Sequence, residues 1–174
     1  MTDLFRRDFD DLAEGAQIET RGRTITETDL VSFSALTGDW HPQHSDAAWA
    51  AESVFGERIA HGMLVLSYVV GLLPIDPERV VALRGIDNVV FKRAARIGDT
   101  IHVAGRIASL RPLDEQTGLV ELAAQVRGAE DELLVRLTLK VIWRRAHDRA
   151  VIGEGDGSEE EAEADPVHHG RVLV

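Results

Sequence analysis

At 174 residues with a formal charge of −11, the chain is long enough for one domain, with or without a tail, that buries roughly two-thirds of its unfolded surface. It contains no cysteine, which excludes a disulfide framework, thiolate metal sites and cysteine nucleophiles and fits a reducing cytosol. The acidic balance leaves little with which to neutralise phosphates, so nucleic acid is not an expected partner.

The opening MTDLFRRDFDDLAEG turns acidic where a secretory signal would turn apolar, so no signal is expected and the cytoplasm is the expected location. A strand is expected over 16–25, then a helix from about Glu27 with Leu30, Val31, Phe33 and Leu36 as its apolar side. Thr26 is the expected N-cap, Asp29 completes an approximate capping box, and Gly38 ends the helix. Pro42 biases His41 to extended geometry, so the stretch TGDWHPQHSD (37–46) reads as an ordered non-helical loop. A short helix over 46–52 follows, with Ser45 as its cap. The segment HGMLVLSYVVGLL (61–73) is too short to cross a bilayer and is stopped by Pro74. Being apolar all round, it predicts a core helix enclosed on every side, with no membrane partner.

Beyond it the period changes to two. Residues 80–93, 100–110, 119–127 and 132–144 alternate apolar and polar positions, separated by turn signals such as Gly98-Asp99. Helices followed by strands predict an α+β domain with an antiparallel sheet around one long apolar helix. The domain is expected over 1–152. Residues 153–174 hold seven acids against one base and almost nothing apolar before Val167, which predicts an acidic, disordered C-terminal tail that includes His168 and His169.

Candidate chemistry concentrates in two stretches. In the first, Asp39 and His44 place a carboxyl group beside an imidazole, a pair able to move protons near neutral pH. In the second, IAHGML (59–64), His61 and Gly62 open the apolar helix, where unpaired backbone N–H groups can cradle a developing oxyanion. Glycine lets a carbonyl approach the backbone without a Cβ in the way. Asp39 and His44 also read as turn and capping residues, and Gly62 alone also reads as a helix cap.

GDWHPQHSD followed by IAHGML resembles the MaoC, or (R)-specific enoyl-CoA hydratase, family, whose hydratase motif runs G-D-x-N-P-x-H-x-D. FKRAARIGDT (91–100) is similar to the family's later strand and turn, and the resemblance covers the chain from near Asp8 to near Arg145. It implies a hot-dog fold and a hydratase/dehydratase acting on enoyl or 3-hydroxyacyl thioesters of CoA or acyl carrier protein. It also implies a homodimer with a shared site and no metal or organic cofactor. Asp39 and His44 match the catalytic pair, and Gly62 matches the residue whose N–H holds the thioester oxygen. His61, His41 and Ser67 complete the expected substrate-binding set. His41 stands where the motif has Asn, Val70 where some members have a serine supporting the Asp, and Ala94 where a proline is common.

Two rival readings share the fold. Hot-dog thioesterases usually carry an acid on the central helix, and residues 63–73 contain none. A non-catalytic acyl-thioester binder or partner subunit is motivated by the departures at His41 and Val70. Arg93 and Arg96 are candidates for the phosphates of CoA, or else solvated strand charges.

Overall fold

The computed structural model describes residues 3–146; the expected tail, with His168 and His169, lies outside the described residues. Two short 3-10 turns, Asp3–Arg6 and Phe9–Asp11, precede β1 (Gln17–Glu19) and β2 (Arg23–Thr24). Four helices follow: α1 (Glu27–Thr37), α2 (Pro42–Ser45), α3 (Ala47–Glu52) and α4 (Gly62–Leu72). Four long strands close the described chain: β3 (Val80–Phe91), β4 (Thr100–Pro112), β5 (Thr117–Arg127) and β6 (Leu133–Arg144).

The sheet is antiparallel in the order β1-β4-β5-β6-β3, with β2 also paired to β4. Alternation along the strands turns one face inward, and register stacks like on like, Val126 beside Val103 and Val135, and Leu122 beside Ile107 and Leu139. This face meets Leu64, Val65, Leu66, Val69 and Leu72 of α4 in one buried core. The expected α+β architecture of a sheet around a long apolar helix is the observed one.

The N-terminal turns, which period-based reading passes over, close one end of the core. Trp143 is fully buried, stacks on Phe5 at 5.3 Å, and donates its indole N–H to the Arg7 carbonyl at 2.9 Å. A buried indole needs such a partner, and here it anchors the entering chain.

Several local expectations change. The single strand over 16–25 is two short strands interrupted at residues 20–22. Thr26 does cap α1 through a full capping box with Asp29, and Gly38 ends it in the left-handed region at φ 79°. The buried side of α1 is different, however: Leu30 and Ser34 face inward with Phe33 half-buried, while Val31 and Leu36 are exposed. The 37–46 loop contains a helical turn, because Pro42 takes the N1 position of α2, where its missing N–H is no loss. Ser45 ends α2 and donates to the Trp40 and His41 carbonyls; the cap of α3 is Asp46, which accepts from the Trp49 N–H at 3.0 Å. Nor is α4 enclosed all round by the described residues, since Met63 and Ser67 are exposed.

Gly105 shows how closely β4 and β5 pack. A Cβ there would stand 2.5 Å from the Ala123 carbonyl oxygen and 3.1 Å from the Ala124 Cα, both backbone atoms that cannot rotate away. Gly105→Ala is therefore expected to destabilise the fold by about 1–3 kcal/mol through overpacking. Thermal unfolding reads this as a melting temperature lowered by several degrees, and an unchanged value would contradict the packing.

Candidate active site

The site is assembled around the peptide of Ile59. Its N–H donates to the Gln43 carbonyl at 3.1 Å, and its carbonyl accepts from His44 Nδ1 at 2.7 Å. The Ala60 N–H donates to Ala95 at 2.7 Å, so the segment leading into α4 is pinned between α2 and the stretch after β3. These bonds bring His44, from one motif, beside His61 and Gly62, from the other.

A carbonyl oxygen only accepts, so His44 Nδ1 carries the proton and Nε2 presents its lone pair. That nitrogen lies 3.0 Å from the Gln43 side-chain amide, which donates to it. Burial pushes the His44 imidazole below the usual histidine range and His61 adds to this; the bond to Ile59 and the Asp39 carboxylate oppose it. His44 is thus a neutral imidazole near neutral pH whose unprotonated Nε2 is steadied by the Gln43 amide, the protonation state a general base requires.

Asp39 follows the left-handed Gly38 at the end of α1 and is exposed. Its carboxylate accepts the His41 N–H at 3.3 Å, and one of its oxygens, a ring nitrogen of His44 and one of His61 all lie within 4.8 Å of one another. His61 is 2% exposed, its ring stacked on that of His44 with centroids 3.8 Å apart. Its Nε2 is 3.1 Å from both the Asp39 backbone oxygen and Ser34 Oγ, while its Nδ1 is buried with no hydrogen-bond partner among the described residues. An unpaired buried acceptor costs about 1–3 kcal/mol. Two histidines and a carboxylate this close are a possible ligand set for a metal ion. Their rings, however, lie nearly face to face, 26° apart, so in-plane lone pairs run side by side rather than converge.

His41 caps α2: its Nδ1 accepts the Gln43 N–H at 3.2 Å, and its ring meets Trp49 edge-on at 5.6 Å. An Asn side chain serves the same capping function, so the imidazole substitutes for an amide acceptor.

His44 and Gly62 line a common cleft of about 420 Å³, walled by Phe55, Ile59, Val65 and Phe91, with Lys92 and Arg93 beside them. As the first residue of α4, Gly62 contributes an amide with no intrahelical partner. A Cβ at this position would stand 2.8 Å from the Phe91 ring, so glycine lets the aromatic wall close over the helix start. Asp39, His41, His61 and Ser67 do not line the cleft. Ser67 donates to its own helix at the Met63 carbonyl, 2.9 Å away, and Arg96 pairs with Glu57 at 3.1 Å. Ser34 and Gln43, which touch the two histidines, were not among the expected site residues; a serine at i+4 from the buried Leu30 was the available signal for the first.

The unfolded chain protonates His44 near its ordinary value of ~6.5, whereas the folded chain does so only at lower pH. Stability from burying the neutral ring is therefore fully present above ~6.5 and lost as pH falls through the depressed folded value. Between about pH 7.5 and about pH 5, the native melting temperature is expected to fall further than that of His44→Gln. Parallel curves would contradict a buried neutral His44.

Comparison with known proteins agrees with this architecture. The sequence model of a family described as MaoC like domain matches residues 11–128. The chain is 41% identical over 100 residues to protein MaoC of Klebsiella aerogenes, covering 57% of this chain but 30% of that one. It is 34% identical over 110 residues to an (R)-specific enoyl-CoA hydratase of Rhodospirillum rubrum, covering 63% of this chain and 76% of the relative. Among solved structures, a monoamine oxidase regulatory protein from Archaeoglobus fulgius superposes with a TM-score of 0.77 at 34% identity, covering 81% of this chain and 96% of that one. A Mycobacterium tuberculosis protein described as a double hot-dog fold superposes with a TM-score of 0.73 at 22% identity, covering 82% and 45% respectively. The chain belongs to the MaoC like domain family and is built on the hot-dog fold.

Proposed function

We propose that this chain interconverts trans-2-enoyl and 3-hydroxyacyl thioesters of CoA or acyl carrier protein, with Asp39 and His44 as the acid/base pair. The observation that carries this reading is the cleft lined by both His44 and Gly62, with an Asp39 carboxylate oxygen within 4.8 Å of a His44 ring nitrogen. The likeness to the (R)-specific enoyl-CoA hydratase of Rhodospirillum rubrum supports it.

In the hydration direction, water held between the Asp39 carboxylate and His44 Nε2 adds its oxygen to the β-carbon. One member of the pair takes the water proton as that bond forms. Electron density moves through the α,β bond to the thioester oxygen, where the Gly62 N–H stabilises the developing enolate. The proton then passes to the α-carbon, which returns the pair to its starting state and balances the step. Arg93 and Lys92, beside the apolar walls, suit the phosphates of a CoA or a phosphopantetheine arm.

Asp39→Asn and His44→Ala are each expected to lower kcat by at least ~10² with the fold intact, since each removes a proton-transfer partner. The assay follows loss of the conjugated enoyl absorbance of crotonyl-CoA. Near-native turnover in either folded variant overturns the assignment; free CoA release marks a thioesterase, and binding without turnover marks a carrier.

We also infer that a second copy of the chain covers β3. On its far side from β6, β3 has no described partner, and Val81 and Leu83 are 48% and 46% exposed there, with Phe91 at 51%. Two-fold pairing would satisfy these backbone groups and cover Met63 at the exposed side of α4. Light scattering at micromolar concentration is expected to give twice the chain mass, 38 kDa being about two copies of the 19.1 kDa chain. A fully active monomer would overturn the shared arrangement.

A further inference from the structure

Within the acid/base cluster, His61 is more deeply buried than either partner and, unlike His44, does not line the cleft. Its Nε2 lies 3.1 Å from the Asp39 carbonyl oxygen, which only accepts, so Nε2 carries the proton and donates it. Ser34 Oγ, 2% exposed as a residue and 3.1 Å from the same nitrogen, holds the ring in that orientation. This leaves the buried Nδ1 without a partner among the described residues. An orphaned acceptor in a closed core signals a ring retained for something other than stability.

Asp39 needs such a hold. It stands one residue beyond the left-handed Gly38, and its carboxylate has one described hydrogen bond, a long one of 3.3 Å from His41. Ser67 does not reach it, being bonded back to Met63, and Val70 has no hydroxyl to offer. The Asp39 backbone is held from two sides, its N–H donating to Thr37 Oγ1 at 3.3 Å and its carbonyl accepting from the buried His61 at 3.1 Å, and the His61 ring also lies on that of His44 with centroids 3.8 Å apart.

We propose that Ser34 and His61 are positioning residues: through the Ser34–His61–Asp39 carbonyl chain they set the distance between the Asp39 carboxylate and His44. The proposal rests on the hydratase reading above. A misplacement of about 1 Å in a reacting group costs up to about 10² in rate.

Because His61 does not line the cleft, His61→Leu is expected to lower crotonyl-CoA kcat by about 10–100-fold while KM stays within about threefold. His61→Gln, whose amide can donate from the position of Nε2, is expected to recover most of that loss, and Ser34→Ala to fall between. In a double-mutant cycle, Asp39→Asn is expected to cost much less in the His61→Leu background than in the native one. Circular dichroism and melting curves verify that each variant folds. Equal kcat in folded His61→Leu and native protein, no recovery in His61→Gln, or fully multiplicative losses overturns the proposal. Long-range 1H–15N spectra at about pH 8 decide it without turnover, so that absence of hydratase activity bears on the function alone. They are expected to show His61 with its proton on Nε2, and amide resonances of residues 38–41 that shift in Ser34→Ala. A proton on Nδ1, or unmoved resonances, refutes the positioning role.

Discussion

The peptide of Ile59 is the constraint on which the site depends. It is held from both sides, by the Gln43 carbonyl on its N–H and by His44 Nδ1 on its carbonyl, so adjacent side chain and backbone of α2 grip one residue. The grip fixes which His44 nitrogen is protonated, and it sets where α4 begins, since Gly62 follows three residues later. The His44 tautomer and the position of the Gly62 amide at the helix start are thus determined together. Burial of His44 then supplies the remaining condition, an imidazole kept neutral by the cost of charging it away from water.

Much of this was legible in the sequence because it depends on short-range pattern. Apolar alternation placed β3 to β6 to within two residues at each end, and the start of α1 came from Thr26 and Asp29, whose reciprocal bonds need only neighbours. The motif stretches carried Asp39, His44, His61 and Gly62, which the fold does gather, although their roles are the reading argued above. What could not be read depends on contacts distant in sequence. Ser34 is buried against His61, 27 residues away, with its hydroxyl 3.1 Å from the ring, while Leu36, more apolar, is 83% exposed. Pro42 reads as a helix breaker or a helix starter, and only the fold around it decides which.

The two walls of the cleft also differ in kind. One side is rigid: Ile59 and Ala60 are pinned by backbone bonds, and Val65 is on a buried helix face. The other is the Phe91 ring, half-exposed at the end of an edge strand and resting on the space that Gly62 leaves free. His44 lies on the rigid side, bonded to the Ile59 carbonyl. The aromatic side is the one that can adapt, since its ring can turn without moving Ile59 or His44.

The strand β3, at the sheet edge among the described residues, is irregular as well. Its register against β6 shifts at three places, between Val80 and Ala82, between Leu83 and Gly85, and between Asp87 and Val90, and Asn88 lies at φ 53°. A straight, apolar edge templates any extended chain that reaches it, which is the route to fibrils and mixed aggregates. Bulges twist a strand and break the even spacing of its free N–H and C=O groups. An incoming strand of ordinary geometry would lose the ladder after a few residues, so the shifts work against indiscriminate pairing along β3. The same apolar side chains that leave the edge sticky are carried on a backbone that makes it discriminating.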